Sequence, residues 1–283
     1  MLPMRVIPAN QISDTVASLC MEANYELGDD VYQALKEGAE NEESPIGREI
    51  FSQLVENAEI ARAEQVPMCQ DTGFAVVFVE LGQDVHITGG LLQDAINAGV
   101  AKGYTEGYLR KSIVGHPLER KNTGNNTPAV IHTEIVPGDR LKILIAPKGG
   151  GSENMSGVRM LKPSDGVEGV KKFVVELVKA GGSNPCPPII VGVGIGGTMD
   201  KAAVLSKKAL LRKIGEHSPN PADAELEKEL LKLVNDTGVG PAGLGGRTTA
   251  LAVNVETFPC HIASLPVAVT IQCHAARHKE AVL

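Results

Sequence analysis

The chain has 283 residues, with 31 glycines and 17 prolines but only 4 tyrosines, 5 phenylalanines and no tryptophan. A formal net charge of −7 argues against a general nucleic-acid binder, which needs a basic face, and so few rings leave little to stack on bases or sugars. No apolar run approaches the roughly 20 residues that cross a bilayer and no basic leader with an apolar segment opens the chain, so we expect a cytoplasmic protein with no membrane partner and reduced thiols.

In chain order, Ile12, Val16, Leu19, Cys20, Ala23 and Leu27 recur at three and four residues and predict a first helix with one apolar face. A short helix fits Asp30 to Gly38. A third begins at Ser44-Pro45, a capping residue with proline at the first helical position, and runs towards Glu64, with Pro67 as its stop. Phe74 to Leu81 is β-branched, apolar and bounded by glycines, and predicts a strand. Leu91 to Lys102 reads as a helix. Pro128 to Val136 and Arg140 to Pro147 flank Pro137-Gly138-Asp139 and predict a hairpin. A glycine-rich loop from Lys148 leads to a helix over Val167 to Lys179, which Gly181 and Gly182 stop. Pro188 to Val193 predicts a buried strand. Helices over Asp200 to Ile214 and Ala222 to Asn235 follow, then strands over Thr249 to Glu256 and Pro266 to Gln272.

Strands and helices do not alternate as in βαβ units, and no internal repeat of a few tens of residues is visible. We therefore expect an α+β fold, a helical N-terminal part followed by a mixed β-sheet and helix part. The expected organisation is one domain over 1–283, with a helical subregion to about residue 68 and a mixed subregion from 69.

Gly192-Val193-Gly194-Ile195-Gly196-Gly197 formally matches a dinucleotide fingerprint between strand and helix. The strand and acidic residue that should follow that helix are missing, so the match carries little. There is no Walker-type phosphate loop. Five cysteines are widely spaced. Cys69, Cys186 and Cys273 lie at element boundaries among turn residues, where sites are usually built. Cys20 sits on an apolar helix face as a small hydrophobe, and Cys260 is ambiguous. Without close cysteine pairs, a zinc site or a ferredoxin-type cluster is poorly supported. Three dispersed thiolates are open to two readings: plain buried cysteines, or a [4Fe–4S] cluster whose fourth iron has no protein ligand.

The strings around these residues are distinctive. Met68-Cys69-Gln70-Asp71-Thr72-Gly73, Asn122-Thr123-Gly124-Asn125-Asn126-Thr127-Pro128, Pro147-Lys148-Gly149-Gly150-Gly151-Ser152-Glu153-Asn154, and Cys186-Pro187-Pro188 through Gly196-Gly197-Thr198 occur in this order, followed by His261 and Cys273. The chain resembles the class I, iron–sulfur fumarate hydratases and L-tartrate dehydratases over nearly its whole length, and most closely the α subunit of their two-subunit forms.

The resemblance implies that Cys69, Cys186 and Cys273 ligate a [4Fe–4S] cluster. It also implies that a separate β subunit completes the site, with an α2β2 assembly. It puts Gln70 and Asp71 beside the substrate. A hydroxyl leaving as water needs a proton donor, so Asp71 is expected to exchange that proton, or else to be an ordinary turn cap. Gly150 and Gly151, with Gly149, offer unshielded backbone N–H groups to a carboxylate, or form a simple turn. Arg110 is the family-matched clamp on a substrate carboxylate, or a solvated charge. His261 is the family-matched histidine, expected to contact the substrate or orient Asp71, or else to be structural. His274 and His278 flank Cys273 without an assigned role. The reaction so implied is reversible hydration of a small dicarboxylic acid. Fumarate and L-malate come first, with L-tartrate dehydration to oxaloacetate as the alternative. A non-catalytic iron–sulfur module and a zinc-binding structural subunit stand behind these.

Overall fold

The structure, a computed structural model, describes residues 4–283. In chain order the first elements are β1 (Arg5–Pro8), α1 (Ala9–Tyr25), α2 (Asp29–Asn41), α3 (Pro45–Glu64), β2 (Phe74–Gly82), β3 (Val85–Thr88) and α4 (Leu92–Glu106). Next come β4 (Val130–Val136), β5 (Leu141–Lys148), α5 (Gly150–Glu153), β6 (Gly157–Leu161), α6 (Gly166–Gly181) and β7 (Ile189–Gly196). The chain finishes with α7 (Met199–Ala209), α8 (Pro221–Asn235), β8 (Ala250–Phe258), β9 (Leu265–Gln272) and β10 (Lys279–Val282). Helices and mixed sheets make this an α+β fold. No helix among the described residues is long and apolar enough to cross a membrane.

The chain divides into two compact units. The first comprises the described part of Met1–Leu27, with Ala58–Gly150 and Arg277–Leu283; the second comprises Gly28–Asn57 and Gly151–Ala276. The division falls inside α3 and separates α1 from α2.

The first unit holds a four-stranded sheet in the order β10-β5-β2-β4 and a parallel pair, β1 with β3. Its core joins Ile12, Val16 and Leu19 of α1 to Val77 and Val79 of β2, Ile96 and Val100 of α4, and Ile143 and Ile145 of β5. Each such side chain buried contributes about 1.5–3 kcal/mol. The helix spacing of α1 read from the sequence is the spacing that faces this core.

The expected hairpin of β4 and β5 does not form. β2 lies between them, parallel to β4 and antiparallel to β5. Burial decides this order. Ala75 to Val79 form an uninterrupted buried run, which only a central strand can satisfy, whereas β4 is mostly exposed and takes the edge. The turn after β2 is fastened instead to the Pro137-Gly138-Asp139 connection, through Gln83 N–H to Val136 O (2.8 Å) and Asp84 N–H to Gly138 O (2.9 Å).

The second unit holds a four-stranded sheet in the order β6-β9-β7-β8, antiparallel except for β7 with β8. Val170, Phe173 and Val174 of α6 and Leu230 and Val234 of α8 cover its buried Val, Ile and Ala residues. Asn220 caps α8 by accepting the Ala222 N–H (3.0 Å), with Pro221 at the first helical position.

The formal dinucleotide glycines have a packing explanation. Gly192 and Gly194 lie inside β7, where an added Cβ would stand 2.0 Å from Ser206 O and 2.1 Å from Ala202 O of α7. They let strand and helix backbones touch, and the strand runs on to Gly196, past the Val193 end expected from sequence. α7 is shorter than expected and ends at Ala209. The buried Asn254 side chain donates to Ala209 O (2.9 Å) and so takes one of its last carbonyls. The short strands β1, β3, β6 and β10 were not anticipated, because four or five residues carry too little alternation to read.

Candidate active site

In both sheets the central strand begins just after a cysteine-bearing segment, and its antiparallel neighbour ends beside that start. Phe74 of β2 pairs with Lys148 of β5, so the residues before 74 meet those after 148. Ile190 of β7 pairs with Gln272 of β9, so the residues before 190 meet those after 272. Antiparallel pairing thus brings the Cys69–Gly73 loop to the glycine loop in the first unit. In the second it brings the Cys186 loop to Cys273.

In the first unit, Asp71 is the meeting point. Its Oδ1 accepts the Gly73 N–H (3.0 Å) and its Oδ2 the Gly150 N–H (2.7 Å). A Cβ at Gly149 would stand 3.3 Å from Asp71 Oδ2, so the glycines make room for this carboxylate. The Cys69 thiol donates to Gln70 Oε1 (3.5 Å). The Arg110 side chain is exposed, and its backbone carbonyl accepts the Thr72 hydroxyl (3.1 Å), which fixes that segment beside the loop. Gln70 is exposed and Cys69 half-buried.

Three groups that sequence reasoning left without a role hold this loop from behind. The buried Tyr104 hydroxyl donates to Thr72 O (2.7 Å), shared with Gly73 O (3.1 Å), and burial pushes its pKa up, so it stays a donor. Asn126, fully buried, donates to Gly73 O (3.1 Å) and accepts the Ser112 N–H (2.7 Å). Arg277, 2% exposed, donates from Nη2 to Asp71 O. Asn126 lies in a string already marked as distinctive. Nothing in the sequence marks the long-range contacts of Tyr104 or Arg277.

In the second unit, Cys186 is exposed and Cys273 half-buried. The Cys186 carbonyl receives the His274 backbone N–H (3.4 Å) and His274 Nδ1 (3.1 Å). Gly151 and Asn184 are close, since a Cβ at Gly151 would stand 3.2 Å from Asn184 O. His261 is exposed in the turn joining β8 to β9. Its Nδ1 accepts the Ala263 N–H (3.1 Å), so Nε2 carries the ring proton. Cys260 in the same turn donates to Ser264 O (3.3 Å). Among the described residues no three His, Cys, Asp or Glu side chains gather as a metal-binding group. Cys20 is a different kind of residue: it is fully buried in the first unit's core, and burial pushes its thiol up to about 12. It stays protonated and unsuited to metal.

Residues 13–282 match the model of the family described as Fumarate hydratase (Fumerase). The chain belongs to the fumarate hydratase family. Enzymes of this family are hydro-lyases, which add or remove water across a carbon–carbon bond. A Methanocaldococcus jannaschii protein provisionally named L(+)-tartrate dehydratase subunit alpha is 47% identical over 273 residues, covering 94% of this chain and 95% of the relative. The L(+)-tartrate dehydratase subunit alpha of Escherichia coli K12 is 36% identical over 271 residues, covering 95% of this chain and 89% of the relative. The Shigella sonnei protein of the same name matches equally.

Proposed function

We propose that the chain is the α subunit of a cytoplasmic [4Fe–4S]-dependent hydro-lyase that interconverts fumarate and L-malate, working with a β subunit in an α2β2 assembly. The observation that carries the hydro-lyase reading is the family match over residues 13–282. The subunit reading draws on relatives named as alpha subunits over nearly their full length.

Cys69, Cys186 and Cys273 are proposed as the ligands, and their donor chemistry fits the group. They are soft sulfur donors on loops, Cys186 exposed and Cys69 and Cys273 half-buried, in contrast to the fully buried Cys20. When bound, such a cluster supplies Lewis acidity at an iron that no protein residue ligates.

The remaining chemistry belongs to side chains. Arg110 grips one substrate carboxylate, a task suited to the planar guanidinium. Gln70, next to the first ligand, contributes amide hydrogen bonds, and Gly150 and Gly151 present a face without side chains to the other carboxylate, while the Gly150 N–H itself is engaged by Asp71. Asp71 and His261 handle protons. The two backbone amides on Asp71 hold its carboxylate in one orientation, and the Nε2 proton of His261 points away from its own turn bond. A base on the β subunit takes the carbon-bound proton, and the charge that develops on the carboxylate meets these preset donors.

A second reading, L-tartrate dehydration, is favoured by the names of the relatives. Steady-state assay of the anaerobically reconstituted chain with its partner subunit separates the two. We expect turnover of L-malate and fumarate; turnover of L-tartrate but not L-malate overturns the first reading in favour of the second. A full cluster with neither activity favours the non-catalytic module.

A further inference from the structure

We propose that His274 is a positioning residue that fixes the backbone of Cys186 and ties it to the Cys273 segment; this rests on the reading of both cysteines as cluster ligands. Cys186 has a φ of +54°, a left-handed conformation that is strained for a non-glycine residue and persists only where its surroundings hold it. The surroundings here are specific. Cys186 N–H donates to Ser183 O (3.0 Å), and the next carbonyl, Pro187 O, accepts the Ala242 N–H (2.8 Å). The prolines at 185, 187 and 188 have no N–H to contribute to this net.

The Cys186 carbonyl is the group whose direction a left-handed residue must control, and His274 holds it twice, from its backbone N–H and from Nδ1. Because a carbonyl only accepts, Nδ1 carries the proton in this contact. His274 directly follows Cys273 and Gln272, the residue paired with Ile190, so one side chain spans from the end of β9 to the segment that precedes β7. The first unit has an equivalent tie at the equivalent strand ends, where Asp71 accepts the Gly150 N–H. The second unit makes its tie with an imidazole, at the carbonyl of an exposed residue, and the bond does not involve either thiol.

The test compares iron retention in the full chain produced anaerobically with its partner subunit. His274→Ala should lose iron to a chelator about 10-fold or more faster than wild type, the usual scale for a residue that orients a metal ligand. His274→Asn keeps a donor near the Nδ1 position and should hold iron close to wild type. His274→Gln moves the donor to the Nε2 position and should behave as His274→Ala, so the Asn–Gln pair carries the comparison even where the alanine variant folds poorly. Equal iron loss from His274→Asn and His274→Gln, or wild-type retention in a folded His274→Ala, overturns the positioning role. Iron retained in Cys186→Ser overturns the ligand reading itself, and the inference with it.

Discussion

Asn126 illustrates how much of the candidate site depends on single buried amides. It adopts a φ of +61°, is fully buried, and joins the Ser112 N–H to the Gly73 carbonyl. Asparagine tolerates the left-handed region better than other side chains. Asn126→Gly should remove the two bonds alone, at about 1–3 kcal/mol. Asn126→Ala should add backbone strain of about 1 kcal/mol, giving the lower melting temperature of the two. Equal or reversed melting temperatures would contradict that account. At this scale the sequence is half legible. Asn126 belongs to a string that stands out, and Asp71 lies two residues past a cysteine in a turn; but one partner of each is 53 and 79 residues away, respectively. Such contacts leave no local pattern. Arg277 is the clearest case, a basic residue to which sequence reasoning gives no role and which is 2% exposed.

At the scale of elements, patterns of burial read well where the period was long and poorly where it was short. α1 follows its apolar face, and α8 spans the expected Ala222 to Asn235 with one residue, Pro221, added at its start. β7 runs through glycines that formally match a dinucleotide fingerprint in the sequence. They are required because α7 lies against that strand. Gly194→Ala should therefore destabilise the protein by about 1–3 kcal/mol or more, since the new methyl group would stand 2.1 Å from Ala202 O and 2.6 Å from Ser206 N, both backbone atoms of α7. The measurement is thermal or denaturant unfolding; wild-type stability in this variant would show that α7 is free to shift. The missed hairpin has a related cause. The β4–β5 connection has the turn chemistry of a hairpin, but turn residues do not reveal that a third, more apolar strand will take the place between the two.

At the scale of the whole molecule, the two units share a sheet plan that no sequence repeat announces. The orders β10-β5-β2-β4 and β6-β9-β7-β8 match position for position in strand direction. In each, the segment before the central strand carries a cysteine, and the segment after its antiparallel neighbour is hydrogen-bonded back to it. Topology survives where side-chain pattern does not, because strand pairing depends on backbone and on any sufficiently apolar face. The α+β class was legible from the absence of βαβ alternation; the shared plan needed the strand pairings. Glycine abundance, the first feature of the composition, serves close backbone packing at β7 and room for the Asp71 carboxylate.

The central claim is that three loop cysteines, and not the other two, hold an iron–sulfur cluster. The most direct measurement is iron content, with visible absorption, of the anaerobically reconstituted chain and partner subunit for each cysteine-to-serine variant. The account predicts iron loss in Cys69→Ser, Cys186→Ser and Cys273→Ser, and near-normal iron in Cys20→Ser and Cys260→Ser. Iron lost from Cys260→Ser with Cys273→Ser unaffected, or wild-type chain without sulfur-to-iron absorption, would contradict it.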